Sequence, residues 1–521
     1  MRFQKTILIA ALASASGAAL AGVSADEAKQ LGTTLTATGA EKAGNKDGSI
    51  PAYTGGLTKA PAEYKAGDGL RPDPFAADKP LFAVDAKNMD KYGDKLTEGT
   101  KALMKKNPDY RIDVYPTHRS VAYPKWVVDN TAKCATTAKT ANGGRSMEGC
   151  HAGIPFPIPK TGYEVMWNHL VRFQGVAYNV KYRNWNIDAS GRPSVSTEGS
   201  IVQEYPYWDA EKAASGVSYK QRITYTGPAR RAGEAMMIID PLDYATSDRR
   251  AWQYLPGQRR VKIAPDFAFD TPNPGTGGTS TFDDVFLFLG SMDRFDFNLV
   301  GKKEMYVPYN TYRMAFASNK DDLLKPKFLN PDQVRWEQHR VWVVEAKLRE
   351  GKRHIYSKRT FYIDEDSWTI VASDQYDARG QLFRAGFAYQ TPSYEASAPW
   401  ADMHGLYDLI AGSYSLSGYT AETGGVRQGK PASERDWSPD ALAGRSTLGE
   451  QLTAQQAQTT AEAERFRLAD LRYRNGVSSY LDVLDAQRSL FATQQALAQT
   501  KLAQQQSQVA LYKALGGGWT E

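Results

Sequence analysis

Two cysteines are the residues whose type and spacing most directly suggest chemistry. Cys134 and Cys150 are the only cysteines among the 521 residues, and they flank the dipeptide Gly143-Gly144. In an oxidising compartment such a pair can close a loop of about 15 residues and stabilise the fold by up to about 3 kcal/mol. We predict a disulfide, and the alternative is a pair of free thiols. Since CxxC spacing and clustered histidines are both missing, the sequence predicts no metal site and no cofactor.

The six histidines are scattered along the chain. The sequence contains no Gly-x-Ser-x-Gly elbow and no His-Glu-x-x-His motif, so it carries no signature of a known hydrolase class. Cys150 stands next to His151, and Asn168 next to His169, but neighbours in sequence rarely face each other in space. We therefore predict that the protein has no catalytic residues and is not an enzyme, while a hydrolase assembled by folding stays open as an alternative.

The N-terminus has the organisation of a secretory signal peptide. Arg2 and Lys5 precede the apolar stretch 7–20, and Ala19-Leu20-Ala21 provides a cleavage pattern. Val23-Ser24-Ala25 is a second possible cut, so the leader covers residues 1–21 or 1–25. The apolar run is shorter than the ~20 residues of a membrane span. The sequence thus predicts export to the periplasm, which is the oxidising compartment that the cysteine argument requires.

Composition narrows the possible partners. The chain has 41% hydrophobic and 23% charged residues, which is typical of globular proteins. The formal charge of +6 is spread over a long chain and does not form the basic stripe of a nucleic-acid-binding protein. We predict no nucleic-acid partner.

The predicted secondary structure differs between successive regions of the chain. Residues 26–160 are rich in Pro, Gly, Asp and Lys, which predicts extended loops and short helices wrapped on a larger body. Residues 175–390 show strand-length segments with period-two alternation, which predicts a large, mostly antiparallel sheet. The clearest predicted strands are 219–226, 234–240, 305–316, 335–348, 354–364, 367–374 and 381–390. The Gly- and Pro-rich segment 270–280 is predicted to be a plain surface loop.

The C-terminal region has a different pattern. No proline follows Pro439, and apolar residues recur at multiples of seven in Val483, Leu490 and Leu497. This spacing predicts the narrow seam of a coiled coil. The turn at 474–477 and a serine cap at Ser478 or Ser479 predict two antiparallel helices, the second ending at the glycines 516–518.

Most of the chain resembles the periplasmic family known as domain of unknown function 1329, which is related to the LolA/LolB-like outer membrane lipoprotein-sorting fold. The resemblance covers residues 26–442, about four fifths of the chain. It is carried, in order, by the segments 39–45, 47–51, 71–75, 153–157, 167–170, 249–254 and 362–368.

The resemblance implies a curved antiparallel half-barrel whose concave face is plugged by helices and encloses an apolar cavity. Relatives by fold carry lipoproteins or other hydrophobic molecules across the periplasm. Large aromatic side chains could line such a cavity, and arginines or a histidine could meet an acidic head group, although buried aromatics more often build the core. The candidate ligand-binding residues are Trp167, His169, Arg172, Trp252, Arg259, Trp342 and Trp368.

Residues 462–519 resemble the end of TolC/OprM-type outer membrane efflux proteins. The segments 471–487 and 511–519 carry the resemblance. In that family this hairpin belongs to the periplasmic tip of a helical tunnel, which implies that Tyr473, Asp482 and Asp485 are gate-side candidates. About 60 residues provide one pair of antiparallel helices, which cannot enclose a tunnel alone. A bifunctional protein and a recombined or misjoined gene are both compatible with this pattern.

Together these observations predict a signal peptide, a mainly β LolA/LolB-like domain over 26–446, and a coiled-coil helical hairpin over 447–521. The predicted function is a periplasmic carrier or chaperone for a lipid or other hydrophobic ligand, at most peripheral to the outer membrane. The alternative is a component of a tripartite efflux system, in which the hairpin binds an envelope transporter or adaptor protein. A periplasmic lipid-ester hydrolase that uses His169 is the remaining alternative.

Overall fold

The protein, as a computed structural model, is described over residues 22–65, 67–401 and 403–514. The predicted leader 1–21 and the glycines at 516–518 lie outside the described residues. The helices are α1 Ala25–Ala28, α2 Glu98–Lys106, α3 Lys125–Thr137, α4 Gly162–Leu170, α5 Lys320–Leu323, α6 Pro439–Arg474 and α7 Tyr480–Ala514.

The strands are short in the first third of the chain and long afterwards. They are β1 Phe82–Asp85, β2 Arg111–Val114, β3 Lys139–Ala141, β4 Ser146–Glu148, β5 Ala177–Ile187, β6 Pro193–Glu204, β7 Val217–Gly227, β8 Ala235–Pro241, β9 Arg250–Leu255, β10 Arg260–Ile263, β11 Phe295–Pro308, β12 Arg335–Leu348, β13 Lys358–Asp364, β14 Ile370–Tyr376, β15 Leu382–Ala388, β16 His404–Asp408, β17 Ser413–Tyr419 and β18 Val426–Gln428.

Within the described residues, 16 of these strands form one sheet in the order β1-β2-β12-β13-β14-β15-β16-β17-β5-β6-β7-β8-β9-β10. In addition, β11 pairs with β12 and β18 pairs with β5, while β3 and β4 pair separately. Most strand pairs are antiparallel, and β2 lies parallel to β12. The predicted large, mostly antiparallel sheet is therefore confirmed. Its closure into a half-barrel stays a prediction.

The middle of the sheet is buried on both faces. On β13, Phe361 and Ile363 belong to one hydrophobic core, which we call the inner core, and Tyr362 belongs to a second one, the outer core. This division follows from the period-two alternation of side chains along a strand. Helix α4 packs Trp167 into the inner core, and α2 packs Leu103 into the outer core.

Local sequence explains where the elements begin and end. Thr161 caps α4 by accepting a hydrogen bond from the Glu164 backbone N–H at 3.2 Å. The Glu164 carboxylate in turn accepts a hydrogen bond from the Thr161 backbone N–H at 3.2 Å, which completes a capping box. The predicted strand 305–316 is wrong in its second half. The observed strand β11 ends at Pro308, because Asn310 adopts a positive φ of 51° and turns the chain away from the sheet.

The N-terminal segment contacts the sheet through buried polar groups. Trp368 Nε1 donates to the Thr38 carbonyl at 3.0 Å, and Tyr123 donates to the Asp366 carbonyl at 2.9 Å. Arg119 forms a bidentate ion pair with Asp366 at 2.7 and 2.9 Å. These contacts explain how a loop-rich segment stays ordered against the body.

The two C-terminal helices contact each other beyond the body. Helix α6 begins on the sheet, where Leu442 joins a small cluster with Met237 and Trp437. Ser479 caps α7, as predicted, by accepting a hydrogen bond from the Asp482 backbone N–H at 3.3 Å. None of the helices within the described part of the chain is both long and apolar enough to span a bilayer.

Candidate ligand cavity

A cavity of about 90 Å³ lies within the inner core, which we call the inner cavity. Its floor is the inner face of β5–β8, and its roof is the segment 273–289, called here the inner segment. The lining is mainly apolar and includes seven polar side chains. The apolar residues are Tyr182, Ile201, Ile223, Tyr225, Met236, Ile238, Phe282, Val285, Phe286 and Leu289. The polar side chains belong to Asn184, Thr197, Gln221, Arg249, Asn273, His404 and Ser417.

One end of the inner segment is attached to the sheet through a single carbonyl. The Gly275 oxygen accepts hydrogen bonds from Ser196 Oγ at 2.8 Å, Asn184 Nδ2 at 3.1 Å and Thr197 Oγ1 at 3.2 Å. Gly275 and Thr276 are buried as a result. The prediction of a plain surface loop over 270–280 is therefore wrong for Gly275 and Thr276, because the Gly275 carbonyl has hydroxyl and amide partners from β5 and β6 in place of water. Pro272, Pro274, Gly277 and Gly278 are exposed, as predicted.

The other end of the inner segment is attached by buried charges. Arg359 of β13 donates to Asp283 at 3.0 Å and to Asp284 at 2.8 Å, and all three side chains are almost inaccessible to solvent. Tyr356 also donates to Asp284 at 2.8 Å, and His354 Nε2 lies 3.0 Å from Asp283. Burial alone would raise the pKa of Asp283, but Arg359 and His354 hold that pKa below its ordinary value.

A third ion pair borders the inner cavity. Arg249 donates to both carboxylate oxygens of Asp240 at 2.7 Å and to the Phe267 carbonyl at 3.0 Å. Burial disfavours its charge, yet the adjacent Asp240 raises the pKa of Arg249 above its ordinary value. Because Asp240 already neutralises this guanidinium, it offers a ligand little net charge. The cavity can therefore accept an apolar group, and its polar side chains offer a few hydrogen bonds.

The predicted ligand residues on α4 pack in the inner core and do not line the inner cavity. Trp167 donates to the Gly144 carbonyl at 2.9 Å. His169 is fully buried, with Nε2 at 3.0 Å from the Phe288 carbonyl and Nδ1 accepting from the Ile370 backbone N–H at 3.0 Å. Burial and the nearby Arg172 hold the pKa of His169 well below its ordinary value. Both ring nitrogens are thus engaged by backbone, which leaves neither for proton transfer.

Arg172, like His169, contacts the inner segment directly. Its guanidinium carbon lies 4.5 Å from the centroid of the Phe286 ring, and Nη1 donates to the His169 carbonyl at 3.0 Å. Phe286 in turn lines the inner cavity. Arg172 therefore supports the roof of the cavity through a cation–π contact.

The other four predicted ligand residues lie away from the cavity. Trp252 packs against the small cluster of Met237, Trp437 and Leu442. Its side chain lies on the face of β9 opposite to Ala251, which belongs to the inner core. Arg259 is exposed in the turn between β9 and β10. Trp342 and Trp368 stack with their ring centroids 6.4 Å apart. The binding roles of these residues stay predictions.

The cavity-lining residues on β7 and β8 were not among the predicted ones. The sequence did show strands over 219–226 and 234–240, and period-two alternation places Ile223, Met236 and Ile238 on one face. That alternation was the available signal. It could not indicate that the inner segment, about 40 residues further along, covers this face.

The predicted cysteine pair and the efflux-tip residues lie in separate regions. The structure contains a disulfide between Cys134 and Cys150. Tyr473 is 43% exposed, with its ring centroid 5.3 Å from that of Tyr480. Asp482 and Asp485 lie in the first turns of α7, where Asp485 Oδ2 is 3.7 Å from an Arg465 nitrogen.

Among the described residues, one group combines donor types and spacing suited to a metal ion. His339, Asp364 and Asp366 each offer a ligand atom, and these atoms lie within 4.8 Å of one another. All three residues are buried, on the side of β12 and β13 that carries the outer core.

Comparison with known proteins divides the chain into two unequal parts. The family model described as "Protein of unknown function (DUF1329)" matches residues 83–443. The uncharacterized protein PA3922 of Pseudomonas aeruginosa is 40% identical over 436 residues, which cover 81% of this chain and 94% of that protein.

The C-terminal region matches a different family. The model described as "Outer membrane efflux protein" matches residues 439–517. The probable efflux pump outer membrane protein TtgC of Pseudomonas putida is 55% identical over 218 residues, covering 38% of this chain and 43% of that protein. This chain thus spans less than half the length of that relative.

Among solved structures, a putative outer membrane lipoprotein-sorting protein domain from Vibrio parahaemolyticus aligns with a TM-score of 0.38 and 14% identity. The alignment covers 54% of this chain and 97% of that domain.

Proposed function

The chain belongs to the DUF1329 family, and from that premise we propose that it is a periplasmic carrier or chaperone for a lipid or another hydrophobic ligand. The observation that carries the proposal is the inner cavity, which lies between β5–β8 and the inner segment and is lined mainly by aliphatic and aromatic side chains. Burying an alkyl chain there would gain about 0.8 kcal/mol for each CH₂ group. In this proposal the sheet curves as a half-barrel around the ligand.

The size of the inner cavity constrains how a ligand would enter. A volume of about 90 Å³ is smaller than the roughly 150 Å³ cavity that binds benzene in an engineered protein. A longer chain therefore needs the inner segment to move away from β5–β8. The attachments that would have to open are the Gly275 carbonyl at one end and the carboxylates of Asp283 and Asp284 at the other.

The domain organisation and location that we propose follow the sequence predictions. A leader of 21 or 25 residues directs the chain to the periplasm, the β domain extends to residue 446, and residues 447–521 form a coiled-coil hairpin. Support for the seam comes from α7, where the buried residues Val483, Ala486 and Thr500 follow coiled-coil spacing.

Filling the inner cavity tests the carrier function. We expect Val285→Trp to lower the affinity for the apolar dye phenylnaphthylamine at least about tenfold, equivalent to about 1.4 kcal/mol. Val300→Trp is the matched control, because Val300 is 59% exposed on β11 and away from the cavity. Native mass spectrometry of both variants, purified from the periplasm, would report bound lipid. Equal dye affinity and equal lipid content in the two variants would refute the proposal.

A second candidate function is a role in a tripartite efflux system, which the match of residues 439–517 to outer membrane efflux proteins supports. The apolar side chains near the turn are exposed: Val477 by 67% and Leu481 by 76%. Such side chains could contact an adaptor protein. Leu481→Ser should then lower site-specific crosslinking to an efflux adaptor without changing dye binding. Crosslinking that is unaffected, or lost equally with Gln499→Ser on an exposed part of α7, would argue against this role.

A further inference from the structure

A buried group of polar side chains lies on the side of β12 and β13 that carries the outer core, separate from the inner cavity. His339 is on β12, Asp364 ends β13, and Asp366 lies in the turn that follows. Their relative exposures are 1%, 0% and 3%. An imidazole and two carboxylates are a donor set that Zn²⁺ and other divalent transition metals accept.

Hydrogen bonding assigns the proton on His339. Its Nε2 lies 2.9 Å from a carboxylate oxygen of Glu337, and an ionised carboxylate can only accept. In the neutral imidazole, Nε2 therefore carries the proton and the lone pair is on Nδ1. Histidines that bind metals are oriented in this way, with the second nitrogen donating to a carboxylate. Tyr309 stacks on the imidazole at 3.6 Å between ring centroids and fixes its plane.

The lone pair on His339 faces an oxygen that lacks a partner. Asp364 Oδ1 is 4.0 Å from His339 Nδ1 and, among the described residues, accepts no hydrogen bond. The other oxygen, Oδ2, accepts hydrogen bonds from Tyr309 at 3.1 Å and from the Ser367 backbone N–H at 2.9 Å. With Asp364 ionised and His339 neutral, two buried acceptor atoms lie 4.0 Å apart, and each would gain from a cation between them.

The distribution of arginines around the group also favours a cation beside Asp364. Arg335 pairs with Glu337 at 2.5 Å, and Arg119 pairs with Asp366 at 2.7 Å and Glu365 at 3.6 Å. No lysine or arginine of the described residues lies within ion-pair distance of Asp364. A buried carboxylate without a cationic partner is costly, since desolvation is not offset by a nearby opposite charge.

We propose that His339, Asp364 and Asp366 bind one divalent transition-metal ion, with Glu337 as the positioning residue for His339. Complete burial fits a structural site rather than one open to substrate. The ion would fasten the N-terminal segment to the sheet, because Arg119 and Tyr123 from that segment also contact Asp366. The sequence did not indicate this site, since its residues come from β12, from the end of β13 and from the turn that follows, and their spacing matches no metal-binding motif.

The test measures metal in the full-length protein, expressed without a polyhistidine tag and purified from the periplasm. Elemental analysis should find about one Zn²⁺ or similar ion per wild-type chain, and after chelation ZnCl₂ should restore that content. Asp364→Asn and His339→Gln should each lower the content to below about a tenth. His151→Gln is the matched control, because His151 lies outside the group and should keep the full content. Glu337→Gln should weaken zinc affinity about 10- to 100-fold.

A readout on the wild type alone keeps the proposal testable if the buried variants do not fold. Titration with CoCl₂ after chelation should produce visible absorption bands that saturate at about one equivalent. Folded wild-type protein that takes up neither ion would overturn the proposal, and an imidazolium shared between Glu337 and Asp364 would then explain the geometry. Full metal content in Asp364→Asn would overturn it as well.

Discussion

The sheet-based body and the two C-terminal helices bury their apolar side chains differently. In the body, β13 places Phe361 in the inner core and Tyr362 in the outer core, so both faces of the strand are covered. Helix α7 buries a narrow line that includes Val483 and Ala486, while Phe491 stays 65% exposed. The body is thus stabilised by its own long-range contacts, whereas the helices leave much apolar surface in solvent. Equivalent substitutions in the two regions should therefore have very different effects.

Truncating one phenylalanine in each region is the most direct test of this comparison. Phe361→Ala removes a fully buried side chain and should lower the free energy of unfolding by about 3–5 kcal/mol, because it leaves a cavity in the inner core. Phe491→Ala should change it by no more than about 0.5 kcal/mol. Urea unfolding followed by tryptophan fluorescence measures both. Similar losses for the two variants would mean that the helices are packed as tightly as the body.

Ion pairs should show the same contrast. Arg359→Met leaves Asp283 and Asp284 buried without their guanidinium partner, which should cost about 3 kcal/mol or more. Arg467→Met is the control, since Arg467 pairs with Glu464 on the exposed surface of α6. That change should cost less than about 0.5 kcal/mol. Because Arg359 attaches the inner segment, its loss should also increase hydrogen exchange at residues 281–289, and unchanged exchange there would contradict the role we assign to it.

Features of this fold that rest on local sequence patterns were predictable, and features that rest on long-range contacts were not. Alternation in 335–348 predicted β12 with its observed bounds, because one strand carries its own pattern. The inner cavity depends on the segment 273–289 covering β5–β8, and that coverage rests on contacts between residues about 75 positions apart, such as Arg359 and Asp284. Phe286 also adopts a positive φ of 53°, which no local preference predicts for phenylalanine. Such contacts are properties of the folded chain.

A buried carboxylate gives the body a pH dependence that the helices should lack. Burial raises the pKa of Asp374 to about 6, although Gly99 N–H at 2.9 Å and Tyr362 at 3.0 Å both donate to it. The folded state therefore holds this proton more tightly than the unfolded state, whose pKa is about 3.9. The contribution of Asp374 to the free energy of unfolding is fully present below about pH 4. As the pH rises to about 6, this contribution decreases by up to about 3 kcal/mol.

Asp374→Asn should remove the pH-dependent stability that Asp374 contributes. The difference in unfolding free energy between variant and wild type should therefore change over about pH 4–6 and be constant above that range. Glu464→Gln on the exposed surface of α6 should change the pH profile much less and in the opposite direction, because Arg467 lowers the pKa of Glu464 through an exposed ion pair. Chemical unfolding at a series of pH values measures both. Parallel profiles for wild type and Asp374→Asn would show that the hydrogen bonds to Asp374 outweigh its burial.

The smallest expected effect distinguishes two aspartates near the helical turn, both predicted from the efflux resemblance to be gate-side residues. Asp482 accepts hydrogen bonds from the Ser479 backbone N–H at 3.1 Å and from its hydroxyl at 3.0 Å, which completes a capping box at the start of α7. Asp482→Ala should therefore cost about 0.5–1 kcal/mol of local stability. Within the part of the chain that the structure describes, the one ion pair of Asp485 is an exposed contact with Arg465, so Asp485→Ala should cost less than about 0.5 kcal/mol.

Hydrogen exchange in the first turn of α7 measures this difference in the full-length protein. Faster exchange in Asp482→Ala than in Asp485→Ala would assign Asp482 to capping, because a cap satisfies backbone donors that an exposed ion pair does not. Equal exchange in the two variants would contradict that assignment. A capping role for Asp482 would also explain its position in the motif without any pore, since the same hydrogen bonds form in a single pair of helices.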